Sequence, residues 1–246
     1  MSKLSKWVRG RAAKRRGYHG VNPEVLWRQL IVKYARGHSL IDVGCLWRVN
    51  GDYAFLAADS GATSVTGLDI EPATPEFLAR NAARSNPITF VQGDLNDPMT
   101  MTRTGMFDVV FCSGVLYHVP NPVLTLEQLR RLCRERLILT TASMPERRPP
   151  NLALLLPGMD DASREALRFA TPRGNRKVGL DTRFDPKAGY GNWVWLPTPS
   201  CVRAMVTLAG FSIEAFYPTR RMTTVVAKPG RAASWEPSTS RAPSVP

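Results

Sequence analysis

Strand-like and helix-like segments alternate along the central part of the chain, and this alternation constrains the fold more than any other feature. Five short apolar segments have the length and composition of buried strands: Ser39–Val43, Ser64–Leu68, Ile88–Gln92, Phe107–Cys112 and Leu137–Thr141. Three segments between them begin at a capping residue or are rich in alanine, and they predict helices: Gly51–Ser60, Pro75 to about Arg84, and Pro122–Leu132. Such an alternation predicts a parallel sheet with helices on both faces.

The flanking segments extend this pattern. Apolar residues at helical spacing predict a helix at Pro23–Arg36, and a further capped helix is expected at Pro199–Ala209. Phe211–Tyr217 and Arg220–Ala227 follow as two strands. The predicted fold is therefore an α/β, Rossmann-like, doubly wound sheet of seven mostly parallel strands with a C-terminal antiparallel hairpin.

Composition divides the chain into three parts. Residues 1–20 form a basic N-terminal arm, residues 21–228 form the domain, and residues 229–246 form a Pro-, Ser- and Ala-rich tail that we expect to be disordered. Within the domain, residues 142–197 interrupt the alternation with seven prolines and one predicted helix near Ala162–Phe169. This segment is too long for a passive connection, so we expect a lid or substrate-binding insertion there.

Positive charge is concentrated at the N-terminus. The 246 residues carry a net charge of +13, and residues 1–36 hold ten basic residues and one acidic residue, Glu24. The arm can contact nucleic acid or an anionic membrane surface, and a solvated tail without a specific partner is an equal alternative. An Arg-rich, acid-free N-terminus is also typical of mitochondrial presequences. No apolar run has the length of a membrane span or the form of a secretory signal, so we expect a cytoplasmic protein.

Four cysteines are scattered along the chain without paired spacing: Cys45, Cys112, Cys133 and Cys201. Three of them lie in apolar segments that we expect to be core. We therefore expect reduced, buried thiols, and the spacing indicates neither a metal site nor a disulfide framework.

The segment Ser39–Ile70 carries the clearest functional chemistry. An apolar strand leads into the loop Asp42-Val43-Gly44-Cys45, and the second strand ends at Asp69. A glycine after the first strand lets the backbone pass close to a ligand. An acidic residue after the second strand can accept hydrogen bonds from both hydroxyls of a ribose. Ligands of such sheets bind outside the carboxyl ends of the strands, where these residues lie.

A nicotinamide-binding domain shares these features, but two observations disfavour it. The dinucleotide pattern needs G-x-G-x-x-G to hold a pyrophosphate at a helix N-terminus. Here Gly44 is followed by Cys45-Leu46-Trp47-Arg48, and the next glycine is Gly51. The later strands also end at polar residues, because Asp94 follows the third strand and Ser113 follows the fourth.

From Ser39 to Thr141 the sequence resembles the class I S-adenosylmethionine-dependent methyltransferases. The motifs that carry the resemblance are DVGC at 42–45, the acid at the end of strand two, VQGDL at 91–95 and FDVVFCSGVLYHV at 107–119. The resemblance implies S-adenosyl-L-methionine as cofactor. It places Asp42, Gly44 and Cys45 at the methionine part, Asp69 at the ribose and Ile70 beside the adenine. It also places Asp94 and Leu95 near the adenine amino group, and Cys112 and Ser113 at the methionine end.

The loop after the first strand departs from the family pattern D-V-G-C-G-x-G. Leu46 and Arg48 replace its glycines, and Asp69 follows Asp42 by 27 residues, against a usual separation of a little more than about twenty. We expect a lengthened loop in which Gly51 takes over where the helix begins. Reduced cofactor affinity is one consequence of this change, and loss of catalysis is another.

His118 is the candidate catalytic residue. It is the only histidine near the predicted cleft, and it can accept a proton from a substrate hydroxyl or amine. Stacking on a substrate and capping of the following turn are alternatives, and Tyr117 is a weaker candidate. Methyl transfer needs a base only when the nucleophile must lose a proton. Trp193 and Trp195 alternate, so that one can line a pocket while the other packs, and core packing is the favoured role for each.

Three functions fit these observations. The favoured one is direct in-line methyl transfer to an O or N atom of a small-molecule or glycan acceptor, with the insertion as a lid. The second is modification of RNA, with the arm on phosphates. VLYHVPNP at 115–122 and WLPTPSCVRAMVTLAGF at 195–211 are similar to enzymes that methylate or carboxymethylate wobble uridine in transfer RNA. The third is a non-catalytic binding protein on a degenerate methyltransferase fold.

Overall fold

A computed structural model describes residues 22–156, 189–192 and 194–230, together with Gly20, Asp160 and Ala162. The predictions made for the basic arm and for Trp193 therefore lie outside the described residues. The same holds for the tail beyond residue 230 and for the helix predicted at Ala162–Phe169, of which Ala162 alone is described.

Within the described residues, the chain forms six α-helices and nine strands. The helices are α1 Pro23–Ala35, α2 Asp52–Asp59, α3 Pro75–Ala82, α4 Pro98–Thr104, α5 Pro122–Leu132 and α6 Pro199–Leu208. The strands are β1 Ser39–Val43, β2 Ser64–Asp69, β3 Thr89–Gln92, β4 Phe107–Ser113, β5 Cys133–Ala142, β6 Ala153–Leu155, β7 Trp195–Pro197, β8 Phe211–Pro218 and β9 Met222–Pro229. Two short 3-10 turns lie at Leu116–His118 and Gly189–Asn192.

Seven strands form one sheet in the order β3-β2-β1-β4-β5-β9-β8. Neighbours from β3 to β5 are parallel, whereas β9 pairs antiparallel with both β5 and β8. The chain order reverses between β1 and β4, and a reversal of this kind opens a crevice at the carboxyl ends of the strands. The predicted fold is thus confirmed, and its switch point lies beside the DVGC loop.

Helices cover both faces of this sheet. One core packs residues of α5 and α6, such as Leu129 and Val202, against β4 and β5. The other packs residues of α1 and α2, such as Ile31 and Tyr53, against β1 and the opposite side of β4. The sheet therefore lies in the middle of three layers. The loops that follow the parallel strands meet at the carboxyl ends of those strands.

Local capping explains why the helices begin where the sequence predicts. A side-chain oxygen accepts a backbone N–H of the first turn in each case, and a proline occupies the first turn: Asn22 for α1, Thr74 for α3, Asn121 for α5 and Thr198 for α6. Gly51 precedes α2 at φ +83°, as expected for the residue that opens that helix.

Three features of the fold were not predicted. β5 begins at Cys133 rather than Leu137. The charged residues at its start are not typical of a buried strand, but they form ion pairs with residues of neighbouring elements. Arg134 lies 3.5 Å from Asp108, and Arg136 lies 2.9 Å from Glu214. The helix α4 and the separate two-stranded sheet of β6 and β7 were also missed. Among the described helices, none has the length and apolar character to cross a membrane.

Candidate functional site

Two carboxylates lie side by side at the carboxyl ends of β1 and β2. Asp42 is next to last in β1 and pairs with Gly67, while Asp69 ends β2 two residues further along. Both side chains are buried, at 1% and 7% exposure. The parallel register brings them together, as the sequence predicted, at the switch point of the sheet.

The environment of Asp42 favours its protonated form. Burial, and secondarily the negative charge of Asp69, raise the pKa of Asp42 to about 8, against a smaller opposing effect of the Ala54 amide. Its Oδ2 atom is buried and has no hydrogen-bond partner among the described residues. Buried polar atoms are normally satisfied, so a carboxyl oxygen buried without a partner among the described residues is a candidate for contact with a ligand.

Asp69 is held in place by two loop amides. The backbone N–H of Leu46 donates to its Oδ2 at 2.7 Å, and that of Glu71 donates to its Oδ1 at 3.0 Å. Each carboxylate oxygen can accept a second hydrogen bond, so the group keeps capacity for two further donors. The two bonds fix the plane of the carboxylate and leave one acceptor position on each of its oxygens for a ligand.

Gly44 allows the loops after β1 and β4 to meet. It has φ +79°, and a Cβ atom built on it would lie 2.4 Å from Cγ2 of Val115. A larger residue therefore cannot occupy this position without displacing the β4 loop. Gly51 is equally constrained, but a Cβ there would meet the ring of Phe77 at 2.6 Å, which is a packing contact.

The loop that lacks the family's glycines is nevertheless ordered. Arg48 and Asn50 adopt positive φ values of 62° and 45°, and the Asn50 N–H donates to the Leu46 carbonyl at 2.9 Å. The hydroxyl of Thr74 donates to Oδ1 of Asn50 at 2.6 Å, which ties the loop to the start of α3. Trp47 at the tip is 76% exposed.

Two predicted cofactor residues are cysteines whose side chains point into the core. Cys45 and Cys112 are both fully buried and free, and burial raises the pKa of each thiol. The Cys45 side chain packs against Gly67, where a Cβ would lie 2.8 Å from its Sγ. Any contact that these two residues make with a ligand therefore comes from the backbone.

The ends of β2 and β3 add an apolar surface and a third acid. Ile70 is 44% exposed beside Asp69, whereas Leu95 is buried. Oδ1 of Asp94 accepts the N–H of Asn96 at 2.8 Å. Its Oδ2 accepts a short hydrogen bond from the hydroxyl of Tyr190, which lies in the predicted insertion.

The loop after β4 carries the candidate catalytic residue. Ser113 ends the strand, and the chain then makes the 3-10 turn Leu116–His118, in which the His118 N–H donates to the Val115 carbonyl at 2.8 Å. The rings of Tyr117 and His118 pack together with centroids 4.2 Å apart. Burial raises the pKa of Tyr117, and the positive charge of Arg48 opposes that effect. The loops after β1 and β4 thus approach each other through side chains as well.

The described ends of the insertion cover this turn. β6 and β7 pair antiparallel and share a small core with Ala142, Met144 and the edge of Tyr117. The indole Nε1 of Trp195 donates to the Val119 carbonyl at 3.0 Å. A small apolar cavity lies beneath, lined by Leu116, Tyr117, Pro122, Thr141, Ala153, Trp195, Pro197 and Met205. Trp195 is therefore half-buried and lines a cavity, which matches the alternative of pocket lining rather than the favoured one of core packing.

A family model described as a methyltransferase domain matches residues 35–173, which is more than half of the chain. The chain belongs to the methyltransferase-domain family. The matched range runs from the end of α1 through the whole parallel half of the sheet, and it includes every residue predicted to bind cofactor. The expectation of a class I methyltransferase family is thus confirmed.

Known proteins resemble this chain in sequence and in fold. A tRNA U34 carboxymethyltransferase from Methylococcus capsulatus is 30% identical over 76% of this chain and 49% of that protein. The chain spans between 32% and 49% of the length of the first curated relatives that it matches.

Solved structures share the fold over more of the chain. Magnesium protoporphyrin IX methyltransferase from Synechocystis PCC 6803 with bound SAH has a TM-score of 0.52 at 21% identity, over 90% of this chain and 94% of that one. The N-terminal domain of EvdMO1, in the presence of SAH and D-fucose, has a TM-score of 0.56 at 17% identity, over 87% and 84%. At such identities the likeness is one of fold alone.

Tyr190 is a residue at the carboxyl edge of the sheet that the sequence did not point to. It lies 96 residues beyond Asp94 in a Pro- and Gly-rich stretch without helical or strand periodicity. Its flanking glycines, Gly189 and Gly191, were the available signal, because they mark a tight turn that presents one aromatic side chain.

Proposed function

We propose that this protein is an S-adenosylmethionine-dependent methyltransferase that transfers a methyl group directly, in line, to an O or N atom of a small-molecule or glycan acceptor. The observation that carries the proposal is the pair Asp42 and Asp69, which lies at the switch point with an unpaired buried oxygen on Asp42. The proposed domain occupies residues 21–228, with an insertion at about 142–197, a basic arm at 1–20 and a tail at 229–246.

The residues at the sheet edge fit this cofactor by shape and charge. The unpaired Oδ2 of Asp42 can accept from the methionine ammonium group, and the free lone pairs of Asp69 can accept from ribose hydroxyls. The exposed face of Ile70 suits the adenine ring. Leu95, Cys112 and Ser113 complete the surroundings as proposed. When bound, the cofactor supplies a methyl group that its sulfonium has already activated.

The protein's part in the reaction is positioning, together with proton removal where the acceptor needs it. His118 and Tyr117 lie in the turn after β4, on the side of the switch point away from Ile70. His118 is the proposed base, because an imidazole can take a proton at neutral pH. The β6–β7 pair packs against Tyr117 in this turn. This supports a small acceptor, because such a cover would leave little room for a large one.

Calorimetric titration with S-adenosyl-L-homocysteine, the product form of the cofactor, tests the proposal. Wild-type protein should bind it, and Asp69→Ala should weaken binding at least tenfold, since a hydrogen bond to a charged group contributes about 1.5–3 kcal/mol. Asp59→Asn is the matched control, because Asp59 is an exposed carboxylate at the end of α2, paired with Arg84. Absence of binding at millimolar ligand would refute both enzyme functions and leave a non-catalytic binding protein.

Modification of RNA is the second candidate function. The curated relative from Methylococcus capsulatus, named a tRNA U34 carboxymethyltransferase, supports it, as does the charge of residues 1–36. Methylation of total tRNA by wild-type protein, lost when residues 1–20 are deleted and suppressed by salt, would establish it. RNA binding that survives the deletion would rule out the proposed role of the arm, and binding to anionic liposomes would assign the arm to membranes instead.

A further inference from the structure

We propose that Tyr190 is a positioning residue that fixes the Asp94 carboxylate for the 6-amino group of the cofactor's adenine, so that the enzyme selects adenine over a 6-oxo purine. This inference rests on the proposed function, because it assumes that S-adenosylmethionine binds with its adenine near Asp94. Through Tyr190, the segment between β5 and α6 takes part in cofactor recognition as well as in acceptor binding.

Two hydrogen bonds hold the Asp94 carboxylate, one on each oxygen. A carboxylate normally turns freely about its last torsion, which has broad minima. Here one oxygen accepts the Asn96 N–H at 2.8 Å and the other accepts the Tyr190 hydroxyl. Donors on both oxygens lock the plane of the group. The Asn96 contact is a local turn within the loop after β3, whereas the Tyr190 contact comes from the segment between β5 and α6 and holds the second oxygen.

Tyr190 is itself held in place by packing and by polar contacts. Its ring packs against the core on the α5 side of the sheet, and its hydroxyl interacts with the side chain of Asn96 as well as with Asp94. Oδ1 of Asn96 in turn accepts from the hydroxyl of Thr125, at 3.0 Å, and Thr125 is fully buried on α5. A chain of polar contacts therefore runs from a rigid helix to the carboxylate.

The hydrogen bond between Tyr190 and Asp94 has a defined direction. The tyrosine hydroxyl donates, and Oδ2 of Asp94 accepts. Burial, followed by the contact with Asp94, raises the pKa of Tyr190 to about 12, so the hydroxyl keeps its proton at neutral pH. The remaining lone pairs of Asp94 can accept the N–H of a 6-amino group. A 6-oxo purine offers them a carbonyl oxygen, which is another acceptor, and the two repel.

The experiment compares S-adenosyl-L-homocysteine with S-inosyl-L-homocysteine, its 6-oxo analogue, by calorimetry on the full-length chain. Wild-type protein should prefer the adenine compound about ten- to a hundredfold, as expected for one hydrogen bond to a charged group. Asp94→Ala should bring the ratio close to one. Tyr190→Phe removes a single oxygen atom, and it should reduce the preference about tenfold, mainly by weakening binding of the adenine compound.

Tyr34→Phe is the matched control, since Tyr34 lies on α1 against the opposite face of the sheet; its ratio should equal that of wild type. Melting curves without ligand show whether each variant is folded. If Tyr190→Phe weakens both ligands equally, or changes neither, Tyr190 only anchors the insertion and the inference is wrong. If wild-type protein binds neither ligand, the proposed function fails instead.

Discussion

Replacement of Asp42 by asparagine should make the ligand-free protein more stable at neutral pH and should remove a pH dependence that wild-type protein shows. Asp42 is 1% exposed, its Oδ2 has no hydrogen-bond partner in the part of the chain that the structure describes, and Asp69 adds a negative charge nearby. Asparagine has nearly the shape of a protonated aspartate and retains an oxygen for the Ala54 amide. It therefore mimics the protonated form at every pH.

The sign follows from linkage. The pKa of Asp42 is about 8 in the folded protein, and that of an aspartate in the unfolded chain is about 3.9. The folded protein therefore holds a proton that the unfolded chain releases, so the stabilisation is complete below about pH 4 and declines as pH rises to about 8. Each pH unit in this window costs up to about 1.4 kcal/mol, which gives about 2.7 kcal/mol between about pH 5 and about pH 7.

Urea unfolding of wild-type protein and Asp42→Asn at several pH values measures this difference directly. The stability advantage of the variant should increase with pH, equivalent to roughly 5–10 °C in melting temperature over that range for a domain of this size. Asp59→Asn removes an exposed carboxylate and should follow the wild-type curve. A constant difference between wild-type protein and Asp42→Asn from about pH 5 to about pH 8 would show that Asp42 ionises normally, and the reasoning from its burial would be wrong.

Three further substitutions test the geometry of the loops. Arg48→Gly should stabilise the protein by about 1 kcal/mol in urea unfolding, because Arg48 has φ +62° and glycine adopts that conformation freely; Arg48→Ala should bring no such gain. Gly44→Ala should destabilise it by about 2 kcal/mol or more, since the new Cβ would lie 2.4 Å from Val115, and adding Val115→Ala should recover part of the loss. Trp195→Phe should lower stability by about 1 kcal/mol through loss of the bond to Val119, and a melting temperature equal to wild type would contradict this.

The sequence was sufficient for the fold wherever the determining interactions are local. Helix starts were predictable because a cap and the amide that it accepts are two or three residues apart, as for Asn121 and Leu124. The start of β5 was not predictable, because charged residues such as Arg134 and Arg136 are typical of a loop. In the folded chain they are paired with Asp108 and Glu214. Those partners are distant in sequence, and a local pattern contains no information about them.

The same distinction applies to the site. Asp42 and Asp69 were predictable together because one βαβ unit joins them and parallel strands bring their ends to one edge. The raised pKa of Asp42 was not predictable, since it depends on how completely the neighbouring loops exclude water. Tyr190 belongs to a segment without periodicity, and only the folded chain brings its hydroxyl to Asp94. The predicted residues therefore come from the regular part of the fold, and the unpredicted one comes from the insertion.

The altered loop after β1 is compatible with a working cofactor site. Glycines in such a loop permit left-handed backbone, and here Arg48 and Asn50 adopt that backbone without being glycine. The cost is about 1–2 kcal/mol for an arginine and less for an asparagine, which tolerates this region. In the same loop, the Leu46 amide donates to Asp69 at 2.7 Å and holds the carboxylate in place. Strain retained next to binding residues is typical of functional sites. The altered loop therefore still supplies a backbone amide to Asp69, the acid proposed to bind the ribose of the cofactor.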